Sequence, residues 1–209
     1  MRRSPLFAAL LIPLFALACD RRAEQPATDT AADAQAAAAV SDSAAAPAAA
    51  PAPALDDPTI VAIFDAANSA DMETGKLAAE RGSTKAVRDF GAMLVRDHKA
   101  VRAQGRDLAK KLGVTPTPPA DDASARAHAE AMQTLRAKSG ADFDRAFLDH
   151  EVAFHQGVID AVNSTLLPAI RNAELKALVV KVAPAFQAHM IAAQNLGKQV
   201  ADASSSSNR

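Results

Sequence analysis

Cysteine is almost absent from this chain, since Cys19 is the only one among 209 residues. No intramolecular disulfide can form, so a thiol kept in an exported chain needs another explanation. The sequence also lacks an excess of positive charge, with 23 basic against 24 acidic residues and no basic run interleaved with aromatic residues. Nucleic acid is therefore not expected as a partner.

Catalytic motifs are missing as well. The sequence contains no Gly-x-Gly-x-x-Gly, no P-loop, no Gly-x-Ser-x-Gly and no His-Glu-x-x-His. A di-iron carboxylate centre needs a Glu-x-x-His motif on each of two helices, and no acidic residue here precedes a histidine by three positions. Serines concentrate in two low-complexity segments, where nothing would orient a nucleophile. We therefore predict that the protein is not an enzyme and, in the first instance, that it needs no cofactor.

The amino terminus has the layout of an export signal. Arg2 and Arg3 precede an apolar run from Leu6 to Leu17, and small residues follow before Cys19. This run is shorter than the about 20 residues that a membrane-spanning helix needs, so residues 1–18 are predicted to be a signal peptide. The stretch "ALAC" resembles a bacterial lipobox, which would make Cys19 a lipidated amino terminus; the alternative is an ordinary signal peptide with an accidental cysteine. We expect a protein of the periplasm or outer membrane, anchored to the membrane through lipid.

Composition divides the rest of the chain into a tether, a domain and a tail. Residues 19–57 are rich in Ala, Pro, Asp and Ser and contain almost nothing large and apolar, which predicts a disordered tether behind the lipidated cysteine. The tail, residues 201–209, is predicted to be disordered too. Residues 58–200 remain, enough for one folded domain with a sizeable core.

Within that domain, apolar residues recur with the helical period of 3.6 and never alternate as in a strand. Four long helices are predicted, at about 58–81, 84–112, 141–165 and 172–200, with a shorter helix at about 122–138. Asp56 or Asp57 is expected to cap the first helix and Ser83 the second, and Pro184 to kink or restart the last. The prediction is an all-α four-helix bundle, with the short extra helix in a long crossover connection between helices two and three.

The segments resemble a bacterial ferritin-like family of exported proteins known as Domain of Unknown Function 4142. The matching stretches are "METGKLA" (72–78), "VRDFGAMLVRDH" (87–98), "FDRAFLDHEVAFH" (143–155) and "PAFQAHMIAAQNL" (184–196). The resemblance implies a ferritin-like bundle in the cell envelope and no particular activity. It also implies that Glu73, His98, His155 and His189, one on each long helix, are recurring polar positions. Phe147, where tyrosine is expected, and Gly91, where alanine is expected, depart from the pattern.

The stretch "DHEVAFHQ" (149–156) carries two histidines whose spacing decides what they can do together. Helical residues five apart point about 140° from each other, so His150 and His155 cannot chelate one ion on a regular helix. Glu151 and His155, four apart, share a face and can act jointly.

Two hypotheses follow. The first is a non-enzymatic structural or interaction role in the envelope, with another envelope protein or a second copy as partner; His98 and His189 are then neutral core histidines bonded to carboxylates such as Glu73, Asp97 or Asp144. The alternative is a site for one transition-metal ion or small ligand, formed by Glu73, His98, His155 and His189 and supported by His150 and Glu151. His128, on the short helix, is expected to be exposed and without function.

Overall fold

The structure is a computed structural model that describes residues 55–207. The predicted signal peptide (1–18), Cys19 and the tether as far as residue 54 lie outside the described residues. The predicted tether extends too far at its other end, because Leu55 packs against the core and Asp56 caps the first helix.

The described residues form helices and connections, which confirms the all-α prediction. The helices are α1 (Asp57–Arg81), α2 (Lys85–Leu112), α3 (Ala123–Arg136), α4 (Gly140–Ala161), a π-helical turn (Val162–Leu166), α5 (Leu167–Ala169) and α6 (Ala173–Ser207). The four long helices α1, α2, α4 and α6 form the bundle, and α3 lies in the connection between α2 and α4, as predicted. The ferritin-like relationship stays an expectation of the resemblance.

Caps fix where the first two helices begin and end. The Asp56 carboxylate accepts a hydrogen bond from the Thr59 amide at 2.9 Å, and Pro58 occupies the first turn. Thr84 caps α2, so the prediction of Ser83 is wrong by one residue. The α2 helix ends at Gly113, whose left-handed φ of 65° suits a residue without a Cβ.

Contacts at the two ends of the bundle establish its topology. Asp144, near the start of α4, accepts hydrogen bonds from the amides of Ser83 and Thr84, which lead into α2. At the opposite end, Asp57 at the start of α1 accepts from the amides of Arg171 and Asn172, which lead into α6. Helices α2 and α4 therefore begin at the same end and run parallel, which confirms the predicted crossover.

Two glycines allow α1 and α2 to approach closely. A Cβ atom added to Gly91 would lie 2.5 Å from the carbonyl oxygen of Gly75, and one added to Gly75 would lie 2.9 Å from that of Gly91. No real Cβ atom tolerates such distances, so the spacing of this helix pair depends on both positions.

The predicted disorder of the tail is wrong for residues 201–207, which continue α6. The hydroxyls of Ser204 and Ser206 donate to carbonyl oxygens four residues earlier, at Val200 and Asp202, and so satisfy themselves within the helix. The helix also runs through Pro184 without a break, so the predicted restart does not occur.

By length and composition α6 could cross a membrane, since its most apolar window has a mean hydropathy of 1.2. It is nevertheless a helix of the bundle core. Leu175, Phe186 and Ala193 are among its buried residues, and it packs mainly against α4.

A layer of buried polar residues separates two apolar clusters. The cluster at one end includes Ile60, Phe64, Leu175 and Phe186; the other includes Ala78, Leu94, Phe147 and Ala193. Between them, each long helix contributes polar side chains to the same level of the bundle: Asn68, Asp71 and Thr74 from α1, His98 from α2, Glu151 and His155 from α4, and His189 from α6.

Candidate metal centre

Four side chains, one from each long helix, meet in the buried polar layer. Asp71, His98, His155 and His189 are 1%, 2%, 0% and 5% exposed. Asp71 lies seven residues after Phe64, on the inward face of α1, and His189 lies one turn after the buried Phe186 on α6. Each residue faces the core because it lies on the apolar stripe of its own helix. The four residues come together because the topology packs those stripes against each other.

Short distances join the four side chains. Oδ2 of Asp71 lies 3.1 Å from Nε2 of His98 and 3.2 Å from Nε2 of His155. Nε2 of His98 lies 3.2 Å from Nδ1 of His189. One ring nitrogen from each of the three histidines falls within 4.8 Å of the other two. The layer therefore gathers three imidazoles, and the Asp71 carboxylate contacts two of them, His98 and His155.

The outer nitrogen of each imidazole is held by a hydrogen-bond acceptor. Nδ1 of His98 lies 2.9 Å from Oδ1 of Asn68, whose amide nitrogen in turn donates to the carbonyl oxygen of Phe64. Nδ1 of His155 lies 2.9 Å from the carbonyl oxygen of Glu151.

The third imidazole follows the same pattern, since Nε2 of His189 lies 3.3 Å from Oδ2 of Asp97. All three partners accept hydrogen bonds in this arrangement, so the protons of the three rings lie on their outer nitrogens.

The inner nitrogens consequently present lone pairs to each other and to Asp71. Burial lowers the pKa of His98 to about 3 and that of His155 to about 4, and it also lowers the pKa of His189, so all three rings are neutral near pH 7. Both oxygens of Asp71 and Nε2 of His155 lack a hydrogen-bond partner despite their short distances. Buried polar atoms in native proteins are rarely left in this condition.

A second carboxylate borders the same cluster. Glu151 is 0% exposed, and the Thr74 hydroxyl donates to its Oε1 at 2.9 Å. Its Oε2 has no hydrogen-bond partner and lies 3.5 Å from Nδ1 of His155. Burial raises the pKa of Asp71 to about 8, and burial together with the neighbouring Asp71 raises the pKa of Glu151. Within residues 55–207, neither carboxylate forms an ion pair with a lysine or arginine.

Aromatic rings line the cluster. The Phe186 ring centroid lies 5.6 Å from that of His98 and 6.1 Å from that of His155, and Phe154 meets His155 edge-on at 5.7 Å. These rings keep water away and lower the local dielectric constant, which strengthens any electrostatic interaction at the centre.

The donor spacing suits a metal ion. An ion in tetrahedral coordination with bonds of about 2.0–2.1 Å holds its ligand atoms about 3.3–3.4 Å apart. Three of the six donor separations, Asp71–His98, Asp71–His155 and His98–His189, are 3.1, 3.2 and 3.2 Å. Imidazole nitrogen with carboxylate oxygen is a donor set used by zinc, copper, iron and nickel. Outer nitrogens that donate to carbonyl, amide or carboxylate oxygens are typical of metal-binding histidines.

Of the residues predicted for this site, the structure brings His98, His155 and His189 together and places Glu151 beside them. The prediction of Glu73 is wrong in structural terms, because its side chain is 58% exposed and contacts Nε2 of His128 at 3.1 Å. Residues two apart on a helix point about 200° from each other. Since Asp71 faces inward, Glu73 faces outward.

Three other expectations also change. His150 does not join the cluster; it is half-buried and stacks on Phe154, and burial together with His128 lowers its pKa to about 4. His128 is half-buried rather than exposed. Asp144, suggested as a partner for core histidines, instead binds the residues that lead into α2.

Asp71, Asn68 and Thr74 were missed by the sequence analysis. A signal did exist, because these residues continue the apolar stripe of α1 at helical spacing after Phe64. A polar residue on a stripe that faces the core is better evidence for a buried site than a histidine whose orientation is unknown. Asp71 is the acidic residue on that stripe.

Two surface depressions lie away from the cluster. One of about 310 Å³ lies between α2 and α6, and one of about 280 Å³ lies beside α1 and α3; none of the four clustered residues lines either. The burial of the four clustered side chains, none of them more than 5% exposed, favours an ion over a larger organic ligand.

Comparison with known proteins places the fold and the family. No curated protein matches the sequence. A solved structure with a similar fold is the crystal structure of a DUF305 fragment from Deinococcus radiodurans. It aligns with a TM-score of 0.60 at 16% identity and covers 68% of this chain and 95% of that chain. The family model described as Domain of unknown function (DUF4142) matches residues 41–196, most of the sequence, and the chain therefore belongs to the DUF4142 family.

Proposed function

We propose that the protein binds one divalent transition-metal ion in the interior of its helical bundle, through Asp71, His98, His155 and His189. One observation carries the proposal: three neutral imidazoles converge with their outer nitrogens bonded to acceptors, and two of them, His98 and His155, direct Nε2 at the buried Asp71 carboxylate, which has no hydrogen-bond partner. A cation is the occupant that all four donors would attract at once.

The donor atoms narrow the choice of ion. Nitrogen and oxygen donors without a thiolate or thioether suit divalent ions of the later first-row metals rather than Cu(I). A divalent ion is also favoured by charge, since Asp71 and Glu151 together supply two negative charges when ionised. The role supported best is binding or storage of the ion, and no reaction is assigned to it.

Metal titration of the full-length mature protein tests the proposal. Purified protein is stripped with a chelator and titrated with Zn²⁺ and Cu²⁺ against a chromophoric competitor. We expect one ion per chain, and at least about a hundredfold weaker binding by His98→Ala and His189→Ala, because each loses a direct ligand and its oriented partner. His150→Ala is the matched control, since His150 is a half-buried histidine outside the cluster, and it should bind like the wild type.

The competing hypothesis, a structural or interaction role without metal, predicts a different result. The wild type would bind no stoichiometric ion, and the histidine variants would change only the free energy of unfolding. Circular dichroism of each variant separates loss of a ligand from loss of the fold.

We also propose that the protein acts in the cell envelope, held by a lipid on Cys19 and separated from the membrane by the Ala/Pro-rich tether. The support is the basic, apolar and small-residue order of residues 1–18 and the single cysteine. Incorporation of a palmitate analogue and recovery in the membrane fraction should both be lost in Cys19→Ser. Equal membrane recovery of the two proteins would refute the anchor.

A further inference from the structure

Glu151 is the one buried acid beside the cluster that the proposed four ligands leave unexplained. It is 0% exposed, and Oε2 has no hydrogen-bond partner although Oε1 accepts from Thr74. Burying a carboxylate is costly unless a cation or several donors compensate for the lost water. A hydroxyl at one oxygen satisfies only part of that requirement.

No side chain in the described part of the chain supplies the missing positive charge. The nearest candidate is His155, whose Nδ1 lies 3.5 Å from Oε2 of Glu151. That nitrogen donates to the carbonyl oxygen of the same glutamate, at 2.9 Å, and the ring is neutral because burial lowers its pKa to about 4. In the metal-free protein burial and the neighbouring Asp71 raise the pKa of Glu151 and so favour a proton on the carboxyl; a bound cation would take the place of that proton.

One carboxylate oxygen of Glu151 is also close to the ligand-type atoms of Asp71 and His155. One ligand-type atom each from Asp71, Glu151 and His155 fall within 4.8 Å of one another, and all three residues are buried. Asp71 is therefore shared, because it lies in this group and also contacts His98. An ion that reached Asp71 and His155 would therefore have a carboxylate oxygen of Glu151 within reach.

We infer that Glu151 is a fifth ligand of the bound ion and that it makes the site prefer divalent ions of coordination number five or six over strictly four-coordinate ones. This inference rests on the proposed function. It gives a donor set of three nitrogens and two carboxylates, whose two negative charges equal the charge of the ion. Thr74 then positions Glu151 by holding its other oxygen.

Cobalt(II) is a suitable probe, because its visible absorption is intense in four-coordinate sites and weaker when a fifth or sixth ligand is present. The full-length mature chain is stripped of metal and titrated with Co²⁺. We expect a weak, five-coordinate spectrum for the wild type and a more intense, four-coordinate spectrum for Glu151→Gln, together with at least about tenfold weaker binding of Co²⁺, a loss of the size typical for one supporting interaction at a metal site.

Thr74→Val is the matched control. It removes the hydrogen bond to Oε1 while keeping both carboxylates, so the five-coordinate spectrum should persist with a smaller loss of affinity. A protein in which Glu151 is only a core acid bonded to Thr74 would give the same Co²⁺ spectrum in the wild type and both variants.

The outcomes separate this inference from the proposed function. An intense four-coordinate spectrum in the wild type, or identical spectra for wild type and Glu151→Gln, overturns the role of Glu151 and leaves metal binding standing. No Co²⁺, Zn²⁺ or Cu²⁺ bound by the wild type overturns both. The wild-type spectrum alone decides the matter if Glu151→Gln does not fold.

Discussion

Replacing Asp71 by asparagine should stabilise the metal-free protein and weaken the metal-bound one. The unfolded-state pKa of this carboxyl is 3.8, and burial raises it to about 8 in the folded protein. At pH 7, about three pH units above the unfolded-state value, the linkage costs the metal-free fold about 4 kcal/mol at about 1.4 kcal/mol per unit. The uncharged amide of asparagine removes this cost; its nitrogen can donate to Nε2 of His98 and His155, but its oxygen remains without a donor, which costs about 1–3 kcal/mol.

The net effect expected for Asp71→Asn at pH 7 is therefore a gain of about 1–3 kcal/mol, or a rise in Tm of roughly 2–12 °C for a domain of this size. The stability gained by Asp71→Asn should increase with pH. Because the folded pKa of Asp71 is raised, the wild type loses stability as pH rises from about 4 towards 8. The variant does not share this loss, so its advantage should shrink at pH 5.

Urea unfolding in the presence of a chelator, at pH 5 and pH 7, measures the difference. With Zn²⁺ at a hundred times its dissociation constant, the wild type should gain about 2.7 kcal/mol, and the variant much less, since it lacks a charged ligand. The difference in stability between Asp71→Asn and the wild type should therefore become smaller or change sign when metal is added.

Asp65→Asn is a control of opposite sign. Asp65 contacts Arg102 and Arg106, and although its partial burial raises the pKa, those hydrogen bonds outweigh burial and lower it to about 2. Its contribution to stability is present above pH 3.8 and is lost only as pH falls towards 2, so Asp65→Asn should destabilise the protein equally at pH 5 and pH 7. A metal-free Asp71→Asn protein that is less stable than the wild type at pH 7 would refute the argument that the buried carboxylate of Asp71 destabilises the metal-free fold.

Three further variants test the surroundings of the site and the packing of the helices. Asp97→Ala removes the side-chain oxygen that accepts from Nε2 of His189 at 3.3 Å and should weaken metal binding about 10–100-fold; unchanged affinity in the competition assay would show that His189 is oriented by packing alone. Gly91→Ala places a Cβ atom 2.5 Å from the Gly75 carbonyl oxygen and should cost about 1–3 kcal/mol in urea unfolding. Gly157→Ala, where a Cβ atom meets nothing within 4 Å, should instead gain about 0.5–1 kcal/mol.

Much of the fold could be predicted from the sequence because its determinants are local. The apolar period of 3.6, the cap at Asp56 and the stop at Gly113 depend on residues within one or two turns. The crossover followed from the length of the connection after Leu112. The predictions failed where two local effects compete. At the serine-rich end of α6, the composition predicts disorder, but the serine hydroxyls form hydrogen bonds within the helix and do not disrupt it.

The site was less predictable, because it depends on which faces of four separate helices meet. The family resemblance indicated His98, His155 and His189, but a resemblance gives positions and no orientation. It also indicated Glu73, which the structure turns outward, whereas Asp71 two residues earlier faces the cluster. The two acids differ only in which side of α1 they lie on, and the side that faces the core could have been inferred from the apolar residues Ile60 and Phe64.

The cost of the polar layer is itself an argument about its purpose. Buried polar groups can specify how helices align, but groups selected for that purpose are satisfied by each other, as Asn68 and the outer nitrogen of His98 are. Asp71 and Glu151 have oxygens that nothing in the described chain satisfies, and apolar residues at those positions would make the bundle more stable. The unsatisfied atoms come from both halves of the bundle, since α1 supplies Asp71 while α4 supplies Glu151 and His155. An ion bound among them would offset the cost of the layer and join the two helix pairs, so its binding energy would also be folding energy.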